Sequence, residues 1–129
     1  DIEKTYGRLG LTSPPLGIPA KSLSGGNVQR LALARELALD PKLIIALYPT
    51  RGLDVPSANA AQRLLVTARD AGAGVLLISE DLGELFTLSD RLIVLYRGKI
   101  VGEFKPQEAR MSQIGYLMTG AEIPHGATN

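Results

Sequence analysis

The stretch Leu23-Ser24-Gly25-Gly26-Asn27-Val28-Gln29-Arg30 decides how the rest of the chain is read. Ser24 belongs to the residue types that cap helices, and a periodic apolar run follows it, with Val28, Leu31, Ala34 and Ala38 on one face and Leu33 and Leu37 beside it. The spacing predicts a helix over 26–39, ended by Asp40-Pro41, apolar around most of its girth and therefore largely buried. Two glycines let backbone approach a ligand, and the first amides of a helix lack internal acceptors and carry a partial positive charge. Ser24, Gly25, Gly26 and Asn27 therefore suit a phosphate. They equally suit an ordinary loop closing onto a capped helix.

Outward from that helix, residues 43–48 are a continuous apolar run of strand length, the pattern of a parallel strand covered on both faces. After a loop over 49–56, residues 57–70 have helical spacing with Ala60, Leu64, Leu65 and Ala68 inward, closed by Gly72 and Gly74. A second buried strand is expected at 74–79, a short helix at 81–88 and a third strand at 91–95. Tyr96, Arg97, Gly98 and Lys99 make a tight turn into a strand over 100–103, so the last two strands form an antiparallel hairpin. Pro106 then opens a helix reaching about Met118, with Met and Ile residues as core. Upstream, 1–9 read as the end of a helix and 10–20, with Pro14, Pro15, Gly17 and Pro19, as a stiff loop. The alternation is that of an α/β domain, a mostly parallel sheet with flanking helices.

Composition narrows the chemistry. With 129 residues, 45% hydrophobic and 5% aromatic, the chain fits one domain with an aliphatic core. Its 14 Lys plus Arg balance 13 Asp plus Glu without a basic run, which speaks against a nucleic-acid partner. The lack of Cys removes thiol nucleophiles and disulfides, and His125, the single His, lies in what reads as a flexible tail over 121–129. A His-centred triad or a multi-His metal site is therefore nearly excluded. No apolar run approaches the roughly 18 residues a membrane span needs. The chain starts at Asp1 without an initiator Met and reads as a segment of something longer.

The ordered set of Leu23-Ser24-Gly25-Gly26-Asn27, a buried strand, and Pro49-Thr50-Arg51-Gly52-Leu53-Asp54, with Asp54 30 residues after Ser24, resembles the ATP-binding cassette (ABC) ATPases. The pentapeptide is similar to their signature motif and Gly52-Leu53-Asp54 to their D-loop. The resemblance runs from about Ser22 to Gly102 and divides the chain into the end of a helical subdomain and loop at 1–22, the signature helix with an α/β core at 23–120, and the tail. It implies a partial P-loop NTPase-like domain lacking the phosphate-loop half: no GxxxxGK[ST] occurs, and the one Gly-Lys pair is Gly98-Lys99 in the hairpin. Pro49 to Val55, Ile78 to Leu82 and Leu88 to Gly102 look like the second cassette of simple-sugar and nucleoside importers, with Ser79-Glu80-Asp81 leaning toward the nucleoside branch. Pro56 stands where that group would have Gly, which bears on the geometry after the D-loop.

The family mechanism, as the resemblance implies it, places each ATP between the phosphate loop of one cassette and the signature of the other. Ser24, Gly25, Gly26 and Asn27 would then contact the γ-phosphate in trans, and Asp54 would couple the two sites unless it is only a turn carboxylate bonding its own backbone. The cofactor would be ATP with Mg²⁺, the metal held by the partner cassette. The implied partners are that other cassette and transmembrane permease subunits, at the cytoplasmic face of the cell membrane.

The departures concern catalysis. Where the family strand ends in Asp-Glu-Pro, this chain has Leu47-Tyr48-Pro49, and where the next strand ends in a switch His it has Glu80 after Ser79. Leu47 has no oxygen for a metal shell, and a phenol of pKa about 10 is a poor base at neutral pH. A local reading covers these residues: Leu47 continues a buried strand, while Glu80 and Asp81 complement the dipole of the helix behind them. Arg30 and Arg35 read as solvated or ion-paired. A degenerate catalytic strand beside an intact signature implies an asymmetric transporter ATPase, inactive as an isolated segment. The other reading is a non-catalytic cassette remnant that clamps nucleotide or regulates a partner.

Overall fold

Strand and helix alternate as expected in the computed structural model, which describes residues 2–8, 13 and 17–121. The helices are α1 Ile2–Arg8, α2 Gly25–Leu37, α3 Val55–Asp70, α4 Leu82–Leu88 and α5 Met111–Met118. The strands are β1 Leu43–Leu47, β2 Gly74–Ile78, β3 Leu92–Tyr96 and β4 Lys99–Phe104, and 3-10 turns occupy Ala20–Ser22 and Pro106–Glu108. The expectations for Pro14, Pro15, His125 and the tail beyond Ala121 lie outside the described residues. The chain divides into two units, Asp1–Ile78 and Ser79–Asn129.

In the first unit β1 and β2 pair in parallel, with Leu43 opposite Gly74 and Leu47 opposite Ile78. Parallel pairing needs a long crossover, and α3 supplies it. Its start is set by the Asp54 cap and by Pro56 in the first turn, where a missing N–H deprives no intrahelical bond. Pro56 therefore fits the helix it opens. Ala60, Ala61, Leu64, Leu65 and Ala68 form the buried stripe of α3. Leu64 and Ala68 join Leu37 and Ala73 in one core, with Leu33 and Ile44 against it.

Two burial expectations fail here. Only Ala34 and Leu37 of α2 are buried, and Val28 is 44% exposed, because α2 packs against α1 and α3 through part of its girth and leaves Val28, Ala32, Arg35 and Glu36 exposed. Nor is β1 covered on both faces: Leu43, Ile45 and Leu47, with Leu76 and Ile78 of β2, are all exposed. Alternate residues of a strand face opposite ways, so the side bearing Ile44 and Ala46 packs inward while the other side stays open among the described residues. Leu47 continues the strand without being buried.

In the second unit β3 and β4 pair antiparallel around Arg97-Gly98, whose φ values of 48° and 77° give the two-residue turn that matches hairpin twist. The described strands thus form one parallel and one antiparallel pair, since so short a turn pairs β3 with its immediate successor. Val94, Ile114 and Leu117 are the buried core, with Leu82, Phe86, Phe104 and Ala109 against them. The helix expected from Pro106 is interrupted: Ala109 and Arg110 are extended, and α5 starts at Met111. Met111 and Met118 are exposed, so the core role falls to Ile114 and Leu117.

Tyr6 of α1 is 3% exposed, and its hydroxyl has no hydrogen-bond partner among the described residues. Burial pushes its pKa up, with a smaller opposing pull from Arg30. An orphaned buried hydroxyl costs about 1–3 kcal/mol. Tyr6→Phe should accordingly hold or raise the melting temperature, whereas Tyr6→Ala should cost about 3–5 kcal/mol. Thermal unfolding by circular dichroism measures both, and a clear drop in the Phe variant would contradict the orphan assignment.

Candidate functional site

The tip of α2 is built by Ser24, whose extended backbone (φ −61°, ψ 156°) stops the chain from continuing as helix toward the N-terminus. Its Oγ accepts from the Asn27 amide at 3.4 Å, and its carbonyl accepts the first helical bond from Val28 at 3.0 Å. The Gly25 and Gly26 amides occupy first-turn positions with no intrahelical acceptor, and the Ser24 hydroxyl keeps its own hydrogen to donate. Ser24 and Gly25 are exposed, and nothing lies within 4 Å of where a Gly25 Cβ would stand. These donors fit a phosphate.

Gly26 is glycine for a different reason. A Cβ there would lie 2.7 Å from Ser57 Cβ and closer still to the Ser57 hydroxyl, and Ser57 is only 6% exposed. The tips of α2 and α3 cross at this point. Asn27 is occupied too, its Oδ1 accepting from the Arg30 guanidinium. Arg30 Nε donates to the Gly26 carbonyl at 3.4 Å, so this cation folds back onto its own helix. Arg35 pairs with the adjacent Glu36 at 2.6 Å in solvent, an arrangement of little energetic consequence.

Behind β1, Tyr48 turns the chain out of the strand at φ 47°, while its amide completes the ladder to the Ile78 carbonyl at 2.8 Å. The Arg51 guanidinium carbon lies 5.3 Å from the centre of the Tyr48 ring. Leu47 and Tyr48 offer no carboxylate, so this donor set does not fit a magnesium shell. Gln29 Nε2 donates to the Pro49 carbonyl at 3.2 Å, tying α2 to the loop that leads through Gly52 (φ 72°) to Asp54.

Asp54 is the N-cap of α3. Its Oδ1 accepts from the Ser57 amide at 2.9 Å. The Ser57 hydroxyl, then that amide, holds its carboxyl below the usual aspartate value, slightly opposed by burial and assisted by Arg30. The local cap is thus the role seen within this chain. The structure brings Ser24, Gly25, Gly26 and Asn27 into one body with Asp54 through Ser57, a residue the sequence reading passed over; its signal was its place three after an Asp that caps a helix. In the second unit Asp81 caps α4 by accepting from the Glu84 amide at 3.1 Å, Ser79 Oγ accepts from the Asp81 amide at 3.1 Å, and Glu80 is exposed.

No protein-family model matches the chain. It is 48% identical over 101 residues to the glucose import ATP-binding protein TsgD13 of Haloferax volcanii, covering 78% of this chain and 18% of that protein. It is 44% identical to the guanosine import ATP-binding protein NupO of Bacillus subtilis (79% and 20%) and 43% identical to the ribose import ATP-binding protein RbsA 2 of Rhizobium meliloti (88% and 22%). The chain spans about a fifth of the length of these curated relatives. Among solved structures, a nucleotide-free ATP-binding cassette from an ABC transporter superposes with a TM-score of 0.71 at 26% identity, over 81% of this chain and 41% of that one. A dimeric cassette in a post-hydrolysis state, bound to ADP and Pi, gives 0.67 at 29% identity over 80% and 44%.

Because the folded-state pKa of Asp54 is depressed, its stabilising cap is fully present above the ordinary aspartate value and is lost as pH falls through the lowered one. An NMR titration of the Asp54 carboxyl carbon should therefore show a midpoint below the ordinary range, with the Ser57 amide shift following it. A midpoint at or above the ordinary value would overturn the cap. Asp54→Ala should lower the melting temperature in thermal unfolding.

Proposed function

We propose, from the premise that this chain is part of an ATP-binding cassette (ABC) ATPase related to sugar and nucleoside importers, that it lends its signature tip to an ATP carried by a second cassette. The observation that supports this is the tip of α2, where Ser24 and Gly25 are exposed and the Gly25 and Gly26 amides and the Ser24 hydroxyl lie together at the helix start. Such donors bind anionic oxygen without needing a positively charged side chain. Asn27 contributes its amide to the Ser24 cap and so holds the hydroxyl in place. Magnesium-bound ATP supplies the phosphoryl group whose transfer to water drives transport.

Catalytic groups come from the partner cassette in this reading. Leu47, Tyr48 and Glu80 stand at the degenerate positions: the first has no oxygen donor, the second holds a phenol under a guanidinium, and the third adds negative charge. The metal is held by the partner for the same reason. Asp54, fixed at the start of α3, faces that cassette and links the two sites. The whole protein is then an asymmetric ATPase subunit of an importer for nucleosides or simple sugars, as the names of its relatives suggest, docked on transmembrane permease subunits at the cytoplasmic face. Among the described residues no helix is long and apolar enough to cross a membrane.

A second reading, a non-catalytic remnant that clamps nucleotide, is favoured by the Tyr48–Arg51 stack where a catalytic carboxylate would be needed. Transport-coupled ATP hydrolysis in the assembled transporter separates the two. Ser24→Arg should abolish it by filling the phosphate position, while Tyr48→Phe should keep turnover within about twofold. Normal turnover in the Ser24 variant would refute the trans-site assignment. The isolated chain, one wall of a cleft, should neither hydrolyse ATP nor bind it tightly; tight binding by calorimetry would contradict this.

A further inference from the structure

The crossing of α2 and α3 holds a residue that the phosphate reading does not use. Ser57 is buried at 6% exposure, and it is the neighbour that a Gly26 Cβ would strike, at 2.7 Å from its own Cβ. Its amide donates to Asp54 Oδ1 at 2.9 Å, and its hydroxyl with that amide holds the Asp54 carboxyl below the usual aspartate value. One small side chain therefore touches the backbone of the signature tip on one side and the D-loop carboxylate on the other. One helical turn away, the Gln29 amide holds the Pro49 carbonyl, which fixes the same two segments from a second point.

We propose that Ser57 is a positioning residue for the trans ATP site, and that Gly26 lacks a side chain to admit Ser57 rather than to admit phosphate. The proposal rests on the trans-site reading above and goes beyond it by assigning the second glycine and Ser57 to one device. The device sets the spacing between the Ser24–Gly25 donors and Asp54. Room for the phosphate is then left at exposed Ser24 and at Gly25, where a Cβ would meet nothing within 4 Å; the Gly26 amide stays a donor, while its missing side chain serves the helix it lets approach.

The test uses the full-length ATP-binding protein assembled with its permease, measuring kcat and KM for ATP, with melting temperatures of the same variants. Gly26→Ala should drive the two tips apart and, for a misplacement of roughly 1 Å, lower kcat on the order of 10²-fold. Its KM should stay within about twofold, since positioning lost only on the way to the transition state leaves ground-state binding intact. Ser57→Gly alone should lower kcat severalfold. The double variant Gly26→Ala/Ser57→Gly should recover both melting temperature and kcat to the level of Ser57→Gly, because the new methyl then occupies the vacated space. Recovery of melting temperature with kcat still as low as in Gly26→Ala would overturn the proposal and return Gly26 to the phosphate. Unchanged kcat in Ser57→Gly would also overturn it, and this variant carries the test should Gly26→Ala not fold. An active Ser24→Arg variant would sink the trans-site reading instead, a result separable from all of these.

Discussion

The first unit depends on how closely two helix tips approach. With any side chain at position 26 the start of α2 would meet Ser57 well inside van der Waals distance, and the interior has no slack to absorb it. Overpacking of this kind costs about 1–3 kcal/mol in well-packed sites. Several local choices agree with the close crossing. Ser57 is small, Pro56 presets the first turn of α3, Asp54 caps it, and Arg30 folds over the Gly26 carbonyl instead of reaching outward. Tip, loop and cap therefore behave as one piece, tied again by Gln29 to Pro49.

That agreement explains which parts of the structure were legible beforehand. The Ser24 cap, the α3 stripe and the Arg97-Gly98 hairpin each rest on interactions within a few residues, so sequence spacing carries them. Burial is set by what packs from a distance, and spacing misjudged it. Val28 counted as core because it shares a helix face with Leu31 and Ala34, yet it is exposed. The role of Gly26 was equally invisible, since a glycine beside a phosphate and a glycine beneath a neighbouring helix are the same letter. Left-handed Tyr48 had no signal either, because a bulky side chain at positive φ is disfavoured and nothing nearby in sequence announces it.

The strands teach the same lesson from the other side. Their continuous apolar runs describe a sheet with both faces covered, while the described residues cover the Ile44 and Ala46 face alone. The prediction of strand type succeeded, and the prediction of its environment did not. Pattern records the environment in which a strand is finally buried, and α3 supplies one layer of it.

Charge at the helix starts bears on the proposed function. Asp54 caps α3 and Asp81 caps α4, with Glu84 also in the first turn of α4; each carboxylate offsets the partial positive charge of its helix. The start of α2 is capped by neutral Ser24 and has no acidic residue in its first turn. A carboxylate at position 24 would serve helix stability as well as serine does, but under the proposed function it would place a negative charge where a phosphate oxygen would come. Arg30, bonded to the Gly26 carbonyl and the Asn27 side chain, leaves its full positive charge one turn behind the open amides. A neutral cap in front of a retained cation makes the tip of α2 electrostatically receptive to an anion, while the Asp54 carboxylate is engaged by Ser57 at the start of α3.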